Sequence, residues 1–332
     1  MNFKRNFPLA EICSLNTKEI ASYYCEISDF EDIEEIRSFI SHKNIPFLLL
    51  GEGTNIVPTG TFNGLVIQNQ IKGIELLDDF TIKVSSGENW HDFVEWTVKN
   101  QKYGLENLAL IPGTVGAGPI QNIGAYGSEI GAYIEEVVFY DFHKDKVGTF
   151  SQKDCNFSYR SSVFKEKPEL FVLSVTFKLN NEPKLNLSYD SLKEQISKDG
   201  LNEKKLKPVD IFNTVTKIRK RVLPNHLEYP NVGSFFKNVY LHEDEFKKLR
   251  LSSDIQTFEV DGIVKISSAH LIEKFGWKGF RQGNLGISEQ HSLVLITYEE
   301  TSGEEIVTLS NEIIKDIYSK TGLQLEVEPT FV

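Results

Sequence analysis

The sequence predicts an α+β chain of two or three domains. Three observations predict it. Its 332 residues exceed one domain on a prior of roughly 100–200 residues each. Helical stripes of period 3.6 and short strand runs of period 2 both recur along the chain. Residues 110–127, LIPGTVGAGPIQNIGAYG, interrupt both periods with five glycines and two prolines.

Residues 1–28 show no sustained period and turn near Pro8 and Asn16. Asp29 is a candidate cap for a helix to about His42, with Phe30, Ile33, Ile36 and Ile40 as its stripe. Ile45–Leu50 and Gly64–Asn69 read as strands and complete a small α/β unit. A second unit opens near Ile71. It holds strand Thr81–Ser86, helix Asn89–Lys102, and strands Ile134–Phe142 and Phe171–Leu179. Trp90 and Trp96 read as packing residues. Val209–Arg221 is a helix whose end carries Lys217, Arg219, Lys220 and Arg221, cations that suit the helix dipole or a bound anion. Pro224 and Pro230 lead into a third unit. There Ser267–Phe275 is a short helix, Leu293–Ile296 a strand, and Glu304–Lys320 an amphipathic helix ended by Gly322. In the closing LQLEVEPTFV, alternation sets Leu323, Leu325 and Val327 on one face.

The glycine-rich stretch keeps Ile111, Val115, Ile120 and Ile123, so it is expected to pack against something flat. Glycine permits positive φ and close approach; proline fixes φ and withholds a donor. Amides left open by such a turn form a nest for an anion. A second turn matches it: Phe47–Asn55, FLLLGEGTN, is a strand running into Gly51-Glu52-Gly53. It lacks the third glycine and following helix of the dinucleotide fingerprint. Two loops, rather than one helix N-terminus, are therefore expected to hold a phosphate.

The formal net charge of −11 argues against nucleic acid or an anionic membrane as partner. No run approaches the roughly 18 apolar residues that span a bilayer. The N-terminus, MNFKRNFPLAEIC, lacks the apolar core of a signal peptide, so a cytoplasmic protein is expected. Cys13, Cys25 and Cys155 have no metal spacing and read as free thiols.

GEGTN, GENWHDFVEWTVKN, GLENLALIPGTVGAGPIQNIGAYG, SYRSSVFK and GSFFKN resemble, in order and rough spacing, blocks of the UDP-N-acetylenolpyruvoylglucosamine reductase family. The resemblance runs from about Phe47 to Glu328. It implies a three-domain FAD-binding fold of the vanillyl-alcohol-oxidase type with a C-terminal α/β substrate domain. Residues 1–70 would be the first FAD subdomain, with the strand 323–332 returning to it or to the site. Residues 71–220 would be the second FAD subdomain and 221–322 the substrate domain. The implied activity is that of a UDP-N-acetylmuramate dehydrogenase. It reduces UDP-N-acetylglucosamine enolpyruvate with NADPH through FAD, for peptidoglycan synthesis and hence cell shape and division. A monomer is expected.

The resemblance also implies roles for residues. Gly51, Gly53, Thr54, Asn55, Ile111, Pro112, Gly113, Thr114, Gly116, Ala117, Gly118, Gln121, Asn122, Gly124 and Ala125 fall on the cofactor loops. Arg160 matches the arginine that contacts the substrate carboxylate, Ser234 the proton donor and Glu328 the catalytic glutamate. Tyr189, Asn238 and His291 match substrate contacts, and Arg221 is assigned to one as the neighbour of a fourth. Read without the family, Arg160 pairs a loop carboxylate, Ser234 is a turn residue, and Tyr189 and His291 are structural. Two positions depart from the family pattern. Val222 stands where a lysine usually precedes Leu-Pro, leaving Arg221 as the nearest substitute for a diphosphate contact. Pro329-Thr330 follows Glu328 in place of Val-Arg, which makes Glu326 the alternative register. Another FAD oxidoreductase would share the glycine turns but lack the Arg160, Ser234 and Glu328 set. A sugar-nucleotide binding protein would lack turnover.

Overall fold

The computed structural model describes residues 1–249, 251, 255–260 and 262–332. The chain divides into two compact units. One comprises Met1–Phe7, Ser22–Glu52 and Asn63–Arg221; the other comprises Pro8–Ala21, Gly53–Phe62 and Val222–Val332.

Two sheets carry the first unit. Strands Lys4–Pro8, Ile20–Ile27, Phe62–Asn69 and Phe47–Leu50 lie side by side in that order. The last two are parallel, in register from Phe47↔Leu65 to Leu50↔Gln68. The first two fall where the sequence shows no period. Ile20–Ile27 buries residues on both faces, which erases the alternation that marks a half-buried strand. Cys25, Ile27, Ile33, Ile36, Leu65 and Ile67 form the core beneath. The expected helix at 29–42 runs over Asp32–Lys43. Its start is delayed because the Asp29 carboxylate accepts the Glu31 amide in a local turn. Phe30, counted in the apolar stripe, lies before the helix and is exposed.

The second sheet orders Lys146–Ser151, Ile134–Asp141, Leu170–Lys178, Thr81–Ser85 and Ile74–Leu76 and is antiparallel throughout. Helix Trp90–Lys99 follows, capped where the Asn89 side chain accepts the Asp92 amide. Trp90 is fully buried, as its packing role requires, and its indole N–H donates to the Leu108 carbonyl at 2.8 Å. Helix Asp190–Lys198 was not foreseen; helix Pro208–Val222 extends the expected one by a residue at each end.

In the second unit, strands Asn231–Ser234, Val294–Thr297, Leu285–Ile287 and Arg281–Gln282 form one sheet. Strands Val239–His242, Ile263–Ile266 and Thr257–Val260 form another. Helix Gly303–Thr321 lays Ile306, Leu309, Ile313 and Ile317 into a core shared with Phe235, Phe236, Leu323 and Leu325. A reciprocal capping box of Ser302 and Glu305 starts it, and Gly322 at φ 73° ends it. The chain end is regular strand only at Thr330–Phe331, where it pairs in parallel with Ile56–Val57. Thr330 N–H donates to the Asn55 carbonyl and Val332 N–H to the Val57 carbonyl, both at 3.0 Å. The tail is thereby fixed beside the segment that follows the GEGTN turn. Among the described residues no helix is long and apolar enough to cross a membrane, and no cluster of side chains suits a metal ion.

Candidate active site

The central glycine stretch is more ordered than its composition suggests. Val115–Gln121 is a 3₁₀ helix that lies against strand Leu170–Lys178, the flat surface its apolar residues called for. Some of its amides are not open. Val115 N–H donates to the Glu88 carbonyl and Gly116 N–H to the Ser86 carbonyl, each at 2.8 Å. Gly116 serves close approach: a Cβ there would lie 2.4 Å from the Ser86 Cβ. Gly51 does the same from the other turn, since its Cβ would lie 2.5 Å from the Thr114 hydroxyl oxygen.

One carboxylate joins these two turns within the first unit. Glu52 Oε2 accepts the Gly113 amide at 3.2 Å, and Oε1 accepts the Asn89 side-chain amide at 2.9 Å. The Asn89 carbonyl side chain meanwhile caps helix Trp90–Lys99. Gln68 steadies the same turn by donating to the Gly51 carbonyl at 3.2 Å. Neither Glu52 nor Asn89 was singled out from sequence, because their partners lie far along the chain. Among the described residues, nothing accepts the amides of Glu52 and Thr114 in the first unit, or of Gly53 and Thr54 in the second. Gly53 itself, at φ 57°, lies so close to Ile12 that a Cβ would meet that carbonyl oxygen at 2.3 Å. Open amides on glycine turns with no room for side chains suit the diphosphate of a dinucleotide. Within the first unit, the open amides of Glu52 and Thr114 fit part of a FAD diphosphate. Ile111, Pro112, Ala117, Gly118 and Gln121 belong to the same stretch, with Pro112 exposed and Gly118 buried.

The SYRSS segment is fastened to the far half of this stretch. Ser162 Oγ donates to the Ile120 carbonyl at 2.7 Å, Asn122 Nδ2 donates to the Ser158 carbonyl at 3.1 Å, and Arg160 Nη2 donates to the Gly124 carbonyl at 2.8 Å. Arg160 adopts φ 53°, a left-handed conformation uncommon for a residue other than glycine. Its guanidinium lies 5.0 Å from the Tyr159 ring. Gly124 and Ala125 pair with Ser128 and Glu129 in a short hairpin.

Tyr189 is the residue just before helix Asp190–Lys198; it is exposed and meets Tyr126 edge-on at 5.3 Å. Arg221 is exposed, and its Nη1 donates to Gln195 Oε1 at 2.6 Å. The arginine that reaches the central stretch is Arg219. Its Nε donates to the Leu110 carbonyl at 3.1 Å. Burial lowers its pKa, and the neighbouring Tyr126 opposes that shift. Burial lowers the pKa of His91 too, with Lys220 and Arg219 adding to the effect; its Nδ1 accepts the Leu110 amide at 2.9 Å. The basic cluster at 217–221 carried the signal for Arg219. Sequence order alone favoured Arg221.

In the second unit the Glu328 backbone runs beside the residue that follows Ser234. Gly233 sits at φ 71°, its amide held by Asn231 Oδ1 at 2.9 Å. This makes a bulge, since the pairing register with Val294–Thr297 shifts between Asn231 and Ser234. A bulge re-aims the next side chain, here Ser234. Glu328 N–H donates to the carbonyl of Phe235 at 2.9 Å, one residue on. His291 precedes the paired strand, and its Nδ1 accepts the Leu293 amide at 3.2 Å. Asn238 Oδ1 accepts the Ser268 amide at 3.2 Å. Glu326, the alternative register, is exposed and ion-paired to Lys237 at 3.1 Å.

Residues 21–141 match the family model of an FAD binding domain. Residues 225–332 match that of the C-terminal domain of UDP-N-acetylenolpyruvoylglucosamine reductase. The chain is 36% identical over 318 residues to the UDP-N-acetylenolpyruvoylglucosamine reductase of Chromobacterium violaceum, covering 93% of each. It is 35% identical over 337 residues to that of Flavobacterium johnsoniae, covering 99% of each. The crystal structure of the Thermus caldophilus reductase superposes with a TM-score of 0.70 at 20% identity, covering 100% of this chain and 99% of that one. The α+β class and FAD-binding fold expected from the sequence are therefore the fold of this chain. The chain is an FAD-dependent oxidoreductase and belongs to the UDP-N-acetylenolpyruvoylglucosamine reductase family.

Proposed function

We propose that this enzyme reduces UDP-N-acetylglucosamine enolpyruvate to UDP-N-acetylmuramate with NADPH, in the cytoplasm, as a monomer. The product would feed peptidoglycan synthesis, and so cell shape and division. Bound FAD supplies hydride relay from NADPH to the vinyl methylene of the substrate. The chain's own residues do the rest. The Gly51–Asn55 turn and the Ile111–Ala125 stretch hold the cofactor through backbone amides, with Thr54 and Asn55 at the tip of the first turn. A division at 70/71 and 220/221 assigns cofactor binding to residues 1–220 and substrate binding to 221–322.

Hydride addition places negative charge on the enolpyruvyl carboxylate. Arg160 offers that carboxylate a planar fork of N–H donors. Glu328, when protonated, donates a further hydrogen bond. Ser234 gives its hydroxyl proton to the other vinyl carbon; because it is a weak acid, the transfer is coupled to charge relief. Tyr189, Asn238 and His291 position the sugar nucleotide. A diphosphate contact in place of the missing lysine comes from the basic cluster, Arg221 by sequence and Arg219 by its bond to Leu110.

What supports this reading is the backbone hydrogen bond from the Glu328 N–H to the Phe235 carbonyl, which brings the Glu328 backbone to the residue that follows Ser234. The test is NADPH oxidation with and without UDP-N-acetylglucosamine enolpyruvate, with the product weighed by mass spectrometry. Product heavier than substrate by two hydrogens is expected. NADPH oxidation indifferent to the sugar nucleotide would refute the reading.

A further inference from the structure

The Asn122 side chain is committed to protein partners. It is 1% exposed, and its polar atoms are taken by protein. Nδ2 donates to Glu129 Oε2 at 2.8 Å and to the Ser158 carbonyl at 3.1 Å, while Oδ1 accepts the Gly131 amide at 3.0 Å. Its backbone is left-handed at φ 47°, a conformation that asparagine tolerates better than most residues. Three bonds at alternate residues, accepted by the Ile120 and Gly124 carbonyls and donated by Asn122, fasten the SYRSS segment to the central stretch. Of the three, only that at Asn122 uses a side chain of the central stretch. Its acceptor, Ser158, closes the tight turn that carries Arg160: Ser158 and Ser161 exchange backbone bonds at 3.0 and 3.2 Å.

We infer that Asn122 is a positioning residue for Arg160, holding the substrate-carboxylate arginine in register with the glycine stretch rather than binding FAD through its side chain. The inference rests on the reading that Arg160 contacts the substrate. Losing the bond to Ser158 frees the Arg160 turn to shift, and displacements of about 1 Å at a reacting centre cost on the order of a hundredfold in rate.

The test uses FAD-loaded Asn122→Gly and Asn122→Asp. Glycine tolerates the left-handed backbone and deletes every side-chain bond. Aspartate keeps the Oδ1 acceptor but sets a carboxylate against Glu129 and the Ser158 carbonyl. Flavin content and melting temperature are measured first. Stopped-flow absorbance then follows flavin reduction by NADPH and reoxidation by the enolpyruvyl sugar nucleotide. Both variants are expected to keep FAD and to be reduced at nearly the wild-type rate. Reoxidation is expected to slow by roughly tenfold to a hundredfold, with the Asp variant partly recovering as falling pH protonates its new carboxyl. Loss of FAD would overturn the inference and make Asn122 a cofactor contact. So would equal slowing of both half-reactions with a lowered melting temperature, or no change in either. Arg160→Lys separates the inference from the reading beneath it. If that variant also reoxidises normally, the role of Arg160 falls; if only the Asn122 variants do, the inference falls alone.

Discussion

At the residue scale, the proposed chemistry depends on a few side chains and their surroundings. Ser234→Ala removes the proposed proton donor but none of the residues assigned to the cofactor. Flavin reduction by NADPH is expected to persist while reoxidation by substrate slows severely; equal loss of both would exclude the serine as donor. The three free cysteines are buried, and burial pushes the thiols of Cys13, Cys25 and Cys155 up to about 12. A thiol reagent should therefore modify none of them in the native protein and all three after denaturation. Glu106 is buried, and burial raises its pKa above the ordinary 4.5 even though the Gly104 amide bonds to it. The folded state thus binds this proton more tightly than the unfolded chain. Its contribution is full below pH 4.5 and is lost as pH rises through the folded value. Glu106→Gln should raise the melting temperature relative to wild type near neutral pH but not in acid. Arg160 and Ser234 were legible as residues only through the family blocks. Glu52, Asn89 and the structural use of Asn122 were not, because each acts through partners dozens of positions away or through its own buried amide.

At the element scale, the two glycine turns matter most. Replacing Gly116 with valine would force a side chain onto Ser86, where a Cβ alone already lies 2.4 Å from its neighbour. The purified variant should carry much less FAD than protein, measured from the ratio of visible to ultraviolet absorbance; full flavin content would remove the role assigned to this stretch. The capping box of helix Gly303–Thr321 permits a separate prediction about stability. Ser302→Ala should cost about 1 kcal/mol in urea unfolding without altering the flavin spectrum. Elements with one buried face were readable. The stripe Ile306, Leu309, Ile313 and Ile317 found its helix within one residue at each end. Strands such as Ile20–Ile27, and the small antiparallel sheet over residues 239–266, were not found. Some bury both faces, and others are too short for a period to emerge.

At the scale of the whole molecule, sequence revealed the class but not the path of the chain. Nothing in LQLEVEPTFV states that Thr330–Phe331 pairs with Ile56–Val57. Yet that pairing, across the length of the chain, ties the Glu328 segment to the residues after the first glycine turn. The ordered family blocks conveyed this indirectly, since a shared fold carries its long-range pairings with it. The central claim is that glycine turns hold FAD in a chain whose Arg160, Ser234 and Glu328 serve one enolpyruvyl substrate. It is tested most directly by an anaerobic visible spectrum of the purified protein, taken before NADPH, after NADPH, and after UDP-N-acetylglucosamine enolpyruvate. The account predicts a flavin band that bleaches with NADPH and returns with the sugar nucleotide. A band that stays bleached when the sugar nucleotide is added would contradict it.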